Sequence, residues 1–301
     1  MKIVIIGRQG QVAWELQREL ACLGEVIAID RHTQPYSIDL ADNASITSTI
    51  AALNPDVIVN AAAHTAVDKA EQEVELANQI NGYALATLAE AAKKCQASLV
   101  HYSTDYVFNG IASSPYSENH VTDPQGAYGA SKLIGEQALI ASGIDFIILR
   151  TAWVYGIRGH NFLRTMLRLM NERETLGIVA DQIGSPTWSR LIASATALIL
   201  AQRLSNGQIR FAETAGIYHL TSSGETSWFG FAQEIHDQAN QRGILKRSVQ
   251  ITGIQTKDYP TPAKRPAYSV LNGDKLHQTF GIKLPDWQQA LALSLAEHPE
   301  I

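Results

Sequence analysis

The first thirteen residues restrict the fold more than any other stretch. Residues 2–6, Lys-Ile-Val-Ile-Ile, are a short run rich in β-branched side chains, as expected for a strand covered on both faces. The run ends in Gly7-Arg8-Gln9-Gly10-Gln11-Val12-Ala13, and the apolar spacing over residues 14–23 predicts a helix. Strand, glycine turn and helix in that order bring backbone N–H groups close to a diphosphate, whose charge then faces the positive end of the helix. Gly7 and Gly10 permit the approach, and Ala13 is small enough for close packing of helix on strand. Two glycines in a tight turn would give the same letters, but the position between a strand and a helix favours dinucleotide binding.

The pattern then repeats. A second strand over residues 25–29 ends at Asp30-Arg31, about 20 residues past the glycine turn, where dinucleotide folds read the adenosine ribose. Asp30 favours a free 2′-hydroxyl and hence NAD, whereas Arg31 can pair with a 2′-phosphate and hence favours NADP. Asp39 and Leu40 either hold an adenine edge or cap the helix predicted over residues 43–53. A third strand, 56–60, leads into Ala61-Ala62-Ala63-His64-Thr65, small residues that leave room for a bound group or form a buried alanine layer. A helical stretch over 68–94 precedes a fourth strand, 98–102, whose end is Tyr102-Ser103-Thr104-Asp105. A fifth strand, 146–150, runs into Thr151-Ala152-Trp153. Strands alternating with helices define an α/β fold with a doubly wound parallel sheet. In such sheets ligands bind outside the carboxyl ends of the strands, which puts Thr104, Asp105 and Trp153 in position to meet a substrate. Beyond Gly156 the alternation loosens, so residues 1–155 with about 186–211 are assigned to a dinucleotide-binding domain. About 156–185 and 212–301 form a smaller substrate-binding lobe. There the proline-rich stretch 259–266 is stiff enough to fix Lys264 and Arg265 beside a phosphorylated ligand, or is a solvated linker.

Tyr128 and Lys132 carry the candidate chemistry. They are four apart in a predicted helix, so both side chains share one face. A phenol of pKa about 10 needs roughly 4 kcal/mol to be brought to about 7. An ammonium at about 4 Å, with an effective dielectric of about 20, supplies roughly that amount.

Composition removes several classes. The 301 residues carry 24 basic and 29 acidic side chains, a formal charge of −5, with no basic cluster. Nucleic acid and membrane surfaces are therefore not expected partners. Cys22 and Cys95 are the two cysteines, both in predicted helices, which fits a reducing, cytoplasmic setting without disulfides. No apolar stretch is long enough to span a bilayer.

Taken together, Gly7-x-x-Gly10-Gln11, residues 60–68 (Asn-Ala-Ala-Ala-His-Thr-Ala-Val-Asp), Ser103-Thr104-Asp105-Tyr106-Val107-Phe108, Tyr128-Gly129-x-x-Lys132, Arg150-Thr151-x-Trp153-Val154-Tyr155 and Thr261-Pro262-x-x-Arg265-Pro266 resemble the dTDP-4-dehydrorhamnose reductases, extended short-chain dehydrogenases with a Rossmann-type sheet. The resemblance covers nearly the whole chain. It implies NADPH-dependent reduction, with NADH also accepted, of the 4-keto group of dTDP-4-dehydro-L-rhamnose. Tyr128 is then the proton donor, Lys132 lowers its pKa and holds the nicotinamide ribose, and Thr104 bonds the carbonyl or the phenol. Gly7, Gly10, Gln11, Val12, Asp30, Arg31, Asp39, Leu40, Ala61, Ala62, Ala63, His64, Thr65 and Tyr102 line the cofactor. Thr104, Asp105, Trp153 and Arg265 meet the nucleotide sugar. Two rivals share the fold: an epimerase or dehydratase that recycles its cofactor, and a non-catalytic module resembling the regulatory subunit of methionine adenosyltransferase. Retention of Thr104, Tyr128 and Lys132 together argues against the second. Some relatives look as if they dimerise through a divalent metal held by carboxylates. This chain keeps Glu15 but has Arg190 and Gln288 at acidic positions of that pattern, so the expectation is no metal and a monomer, unless Glu297 or Glu300 substitutes as a ligand.

Overall fold

The computed structural model describes residues 1–297; Glu300 lies outside the described residues. Six parallel strands form the central sheet: β1 (Lys2–Ile6), β2 (Glu25–Ile29), β3 (Val57–Asn60), β4 (Ser98–Thr104), β5 (Phe146–Thr151) and β6 (Gly216–His219). Their spatial order is β6-β5-β4-β3-β1-β2, so the direction of winding reverses between β1 and β3. That reversal opens a crevice at the carboxyl ends of the strands, the place where such sheets take ligands.

The continuous apolar runs have the expected cause. Ile3, Ile5, Val57, Val59 and Val100 pack on one face with Leu16, Leu20 and Ile192, while the alternate residues Val4, Ile6, Ile58 and Leu99 pack on the other with Ile46, Ile50, Leu85 and Leu88. Both faces are thus covered by helices, and neither tolerates a polar alternation. A third cluster, including Leu163, Met166, Phe231, Ile235 and Trp287, is separate from the two that cover the sheet.

Several expected boundaries move. The first helix is Gln11–Glu19, and Cys22 lies in the exposed turn after it rather than in a helix. The stretch expected as one helix over 68–94 is broken into Val67–Ala70, Val74–Asn78, a π-helical turn Gln79–Tyr83 and Ala84–Cys95. β4 runs two residues further than expected, to Thr104. The domain boundary expected near 212 also shifts: β6 pairs in parallel with β5, Gly216 opposite Ile147 through His219 opposite Arg150, so this segment belongs to the main sheet.

Candidate active site

The helix Ala127–Ser142 presents Tyr128 and Lys132 to the end of β4. Glu71 fixes its start by accepting from the Ala127 N–H at 2.8 Å. Small residues let it lie close: a Cβ at Gly129 would overlap the Tyr106 carbonyl, and one at Gly135 would overlap the Asn81 carbonyl. Thr104 ends β4 and caps the short turn Asp105–Val107, accepting from the Tyr106 N–H at 3.2 Å and donating to Asp105 Oδ1 at 2.9 Å. The capping role and a place in the site are therefore compatible. The Tyr106 ring meets the Tyr128 ring edge-on at 5.6 Å.

The electrostatics differ from the simple tyrosine–lysine pair. Lys132 is 2% exposed, and its Nζ donates to the Tyr102 carbonyl at 2.6 Å and lies 3.0 Å from His101 Nε2. Burial lowers its pKa to about 7, opposed by Glu136 one turn along the helix. The Tyr128 phenol is raised above its ordinary value: burial dominates, and the neighbouring Thr104 hydroxyl only partly offsets it. The expectation that Lys132 depresses the Tyr128 pKa does not hold here, because the amine is directed toward His101 and Tyr102. The phenol remains protonated at neutral pH, the form a proton donor requires. Asp105, buried beside Thr104, is pushed up to about 6 by burial, against the nearby Ser269 hydroxyl and the hydrogen bond from Thr104.

At the other end of the crevice the glycine turn has the shape a diphosphate requires. Gly7 has φ +102°, and a Cβ there would sit 3.1 Å from Ala62 N. Gly10 caps the helix Gln11–Glu19 without any side-chain bond, and nothing lies within 4 Å of where its Cβ would be. The first N–H groups of that helix are thus open to an anion. Val12 is half-buried against the core. Gln11 is tied to the segment that begins the helix Phe162–Glu172, its Oε1 accepting from Asn161 Nδ2 at 2.8 Å. Asp30 follows β2; burial raises its carboxyl, but bonds from the His32 N–H and the Thr33 hydroxyl outweigh this and hold it below its ordinary value. Arg31 beside it is exposed. Ala61, Ala62 and Ala63 follow β3 half-buried, and Thr65 is exposed.

Other expected residues are placed differently. Leu40 is buried in the core and Asp39 accepts from the Ala41 N–H in a turn. The Tyr102 side chain points into the core and bonds Thr196 at 2.7 Å, so only its backbone faces the site. His64 Nε2 lies 2.8 Å from a Glu73 carboxylate oxygen. Trp153 has φ +47° and stacks on Trp228, centroids 3.5 Å apart, so that face is not free for a sugar. Arg265 pairs with Asp68 at 2.7 Å and donates to the Tyr106 hydroxyl at 3.2 Å. Asp68, Tyr106, Trp228 and Arg265 line a cleft of about 710 Å³ together with Leu176 and Ile178.

Sequence reasoning missed Asn60, Asn81, His101, Glu136 and Arg150. Asn81, in the π turn, accepts from the His64 N–H at 2.8 Å and donates to Ser131 Oγ at 3.0 Å, joining the cofactor-side loop to the catalytic helix. His101 had one visible signal, a polar ring inside an apolar run predicted as a covered strand.

A dinucleotide crevice at a sheet reversal, with a tyrosine and a lysine one helical turn apart beside it, defines an oxidoreductase of the short-chain dehydrogenase class. The family described as RmlD substrate binding domain matches residues 1–299. The chain is 48% identical over 301 residues to a dTDP-4-dehydrorhamnose reductase of Burkholderia thailandensis, covering 99% of each, and 44% identical over 297 residues to that of Escherichia coli K12, covering 99% of this chain and 98% of the other. The crystal structure of a Bacillus anthracis dTDP-4-dehydrorhamnose reductase in complex with NADP superposes with a TM-score of 0.87 at 33% identity, covering 98% of this chain and 99% of that one. The chain belongs to the dTDP-4-dehydrorhamnose reductase family.

Proposed function

We propose that this protein reduces the 4-keto group of dTDP-4-dehydro-L-rhamnose to the alcohol with NADPH as hydride source. The carrying observation is the half-buried Tyr128 one helical turn from the buried Lys132, both on the helix that packs at the end of β4 beside the dinucleotide crevice. When bound, NADPH supplies the hydride to C4. Tyr128 Oη would give the substrate's carbonyl oxygen its proton, with the Thr104 hydroxyl beside the same oxygen. Lys132 is set to meet the nicotinamide ribose. Gly7, Gly10 and the open N–H groups of Gln11 and Val12 receive the diphosphate. Asp30, charged at neutral pH, disfavours the 2′-phosphate that Arg31 favours, which supports a moderate rather than absolute preference for NADPH. The nucleotide end of the substrate lies in the cleft near Arg265.

The test is stoichiometric: oxidation of one NADPH per 4-keto sugar consumed, across a panel of nucleotide 4-keto sugars. Turnover of sugar without net NADPH loss would instead indicate an epimerase. No described helix is long and apolar enough to cross a membrane, and we place the enzyme in the cytoplasm, acting without nucleic acid. Arg190 forms an ion pair with Glu297, lies 3.8 Å from Glu19, and bears electrostatically on buried Glu15. A guanidinium set among these carboxylates supports a monomer without a bridging metal.

A further inference from the structure

Behind Lys132 lies a buried chain of side chains whose donors and acceptors admit two arrangements in which the His101 ring stays neutral. Asn60 Oδ1 accepts from the Ala62 N–H at 3.3 Å, which turns its Nδ2 toward His101 Nδ1 at 3.2 Å. An amide nitrogen only donates, so His101 Nδ1 is the acceptor and the proton of the neutral ring sits on Nε2. Nε2 is 3.0 Å from Lys132 Nζ. A ring N–H facing that nitrogen requires a lone pair on it, so Lys132 is the neutral amine in this arrangement, donating onward to the Tyr102 carbonyl at 2.6 Å. With Lys132 as the ammonium, Nε2 must accept, Nδ1 must carry the ring proton, and Asn60 must turn its amide so that Oδ1 meets it. The Ala62 N–H then loses its side-chain partner. The second arrangement holds one proton more than the first, taken from solvent.

We propose that His101 is a positioning residue that couples the charge of Lys132 to the Asn60 amide, and through it to the Ala62 N–H in the cofactor-side loop. His101 is 1% exposed and Asn60 1%, so water does not substitute freely for a mismatched partner, and a wrong tautomer would leave a buried polar group unpaired. The surroundings allow both states. Glu136, on the helix of Lys132, favours the ammonium, but its carboxylate is held by Arg150 of β5 at 2.6 Å. Tyr128 on the same helix and Tyr102 of β4 are both protonated phenols, since burial raises each. Asn60 of β3 is uncharged. Burial disfavours a second charge on His101, held well below its ordinary value by desolvation and by Lys132, so the ring changes tautomer rather than becoming imidazolium. The amide of the loop predicted to touch the cofactor is therefore released when Lys132 is charged.

The experiment is nitrogen NMR of cofactor-free, 15N-histidine-labelled protein between pH 6 and 9. The His101 ring signal is identified as the one lost in His101→Gln or His101→Asn, or displaced in Lys132→Met. The expected result is protonated Nε2 at pH 9 and protonated Nδ1 at pH 6, with a midpoint near 7 where Lys132 titrates. One tautomer at both ends, or an imidazolium at pH 6, would overturn the proposal. In the kinetic arm, which rests on Lys132 serving the reductase site, His101→Gln should displace a limb of the kcat/KM pH profile by about one unit or more, since its amide can accept from an ammonium without changing tautomer. An equal loss of activity at every pH would mark a merely structural residue and overturn it. The ring-nitrogen arm needs no substrate, so its result stands apart from that of the proposed activity.

Discussion

Arg150 of β5 and Glu136 of the catalytic helix meet in a two-pronged ion pair, Nε to Oε1 at 2.8 Å and Nη2 to Oε2 at 2.6 Å, with both side chains almost fully buried. Glu136 is one turn beyond Lys132, so this pair fixes the register of the Tyr128/Lys132 face against the sheet. Removing one partner leaves the other charge buried and uncompensated. Glu136→Gln should lower stability by about 3–5 kcal/mol, measured by urea unfolding; a loss below about 1 kcal/mol, the range of an exposed pair, would contradict the assignment.

Tyr128→Phe keeps the ring and removes the acid. It should reduce kcat by roughly 100-fold or more while cofactor affinity stays nearly intact. Lys132→Met should weaken both. Near wild-type turnover by purified Tyr128→Phe would rule out the proton-donor role.

Asp30→Ala removes the charge that opposes a 2′-phosphate. The ratio of kcat/KM for NADPH over NADH should rise relative to wild type, by roughly the tenfold that 1.4 kcal/mol represents. An unchanged ratio would remove Asp30 from the ribose site.

Asp105 gives a pH signature in stability. Its folded pKa of about 6 is above the ordinary 3.8, so the folded state binds its proton more tightly than the unfolded chain. The associated stability is complete below about pH 3.8 and is lost as pH rises through about 6. Asp105→Asn, which cannot ionise, should therefore gain on wild type between pH 4 and 7 by up to roughly 3 kcal/mol. Denaturation midpoints that move in parallel across this window would disprove the shift.

The Arg190 cluster predicts assembly behaviour. Sedimentation should show a species, most simply the monomer, that is indifferent to EDTA. A dimer that dissociates only on chelation would show that a metal is held despite the guanidinium.

Wherever the physics is local, the residues alone determined the outcome. The run Lys2–Ile6 had to be a covered strand because no polar residue interrupts it, Gly7 and Gly10 had to turn tightly, and Tyr128 and Lys132 had to share a helical face because four residues are about one turn. The family motifs then located the crevice. What chain order could not show is which buried groups meet across distant elements. β6 was not anticipated because its role as a sheet strand depends on β5 lying beside it. Lys132 was expected to act on Tyr128 because the two are neighbours along one helix. The fold instead offers its amine a carbonyl and an imidazole from β4, about thirty residues earlier in the chain. Those partners are closer in space and equally dry, and in a low-dielectric interior a buried amine takes the hydrogen bonds within reach, so tertiary packing decided its charge and direction.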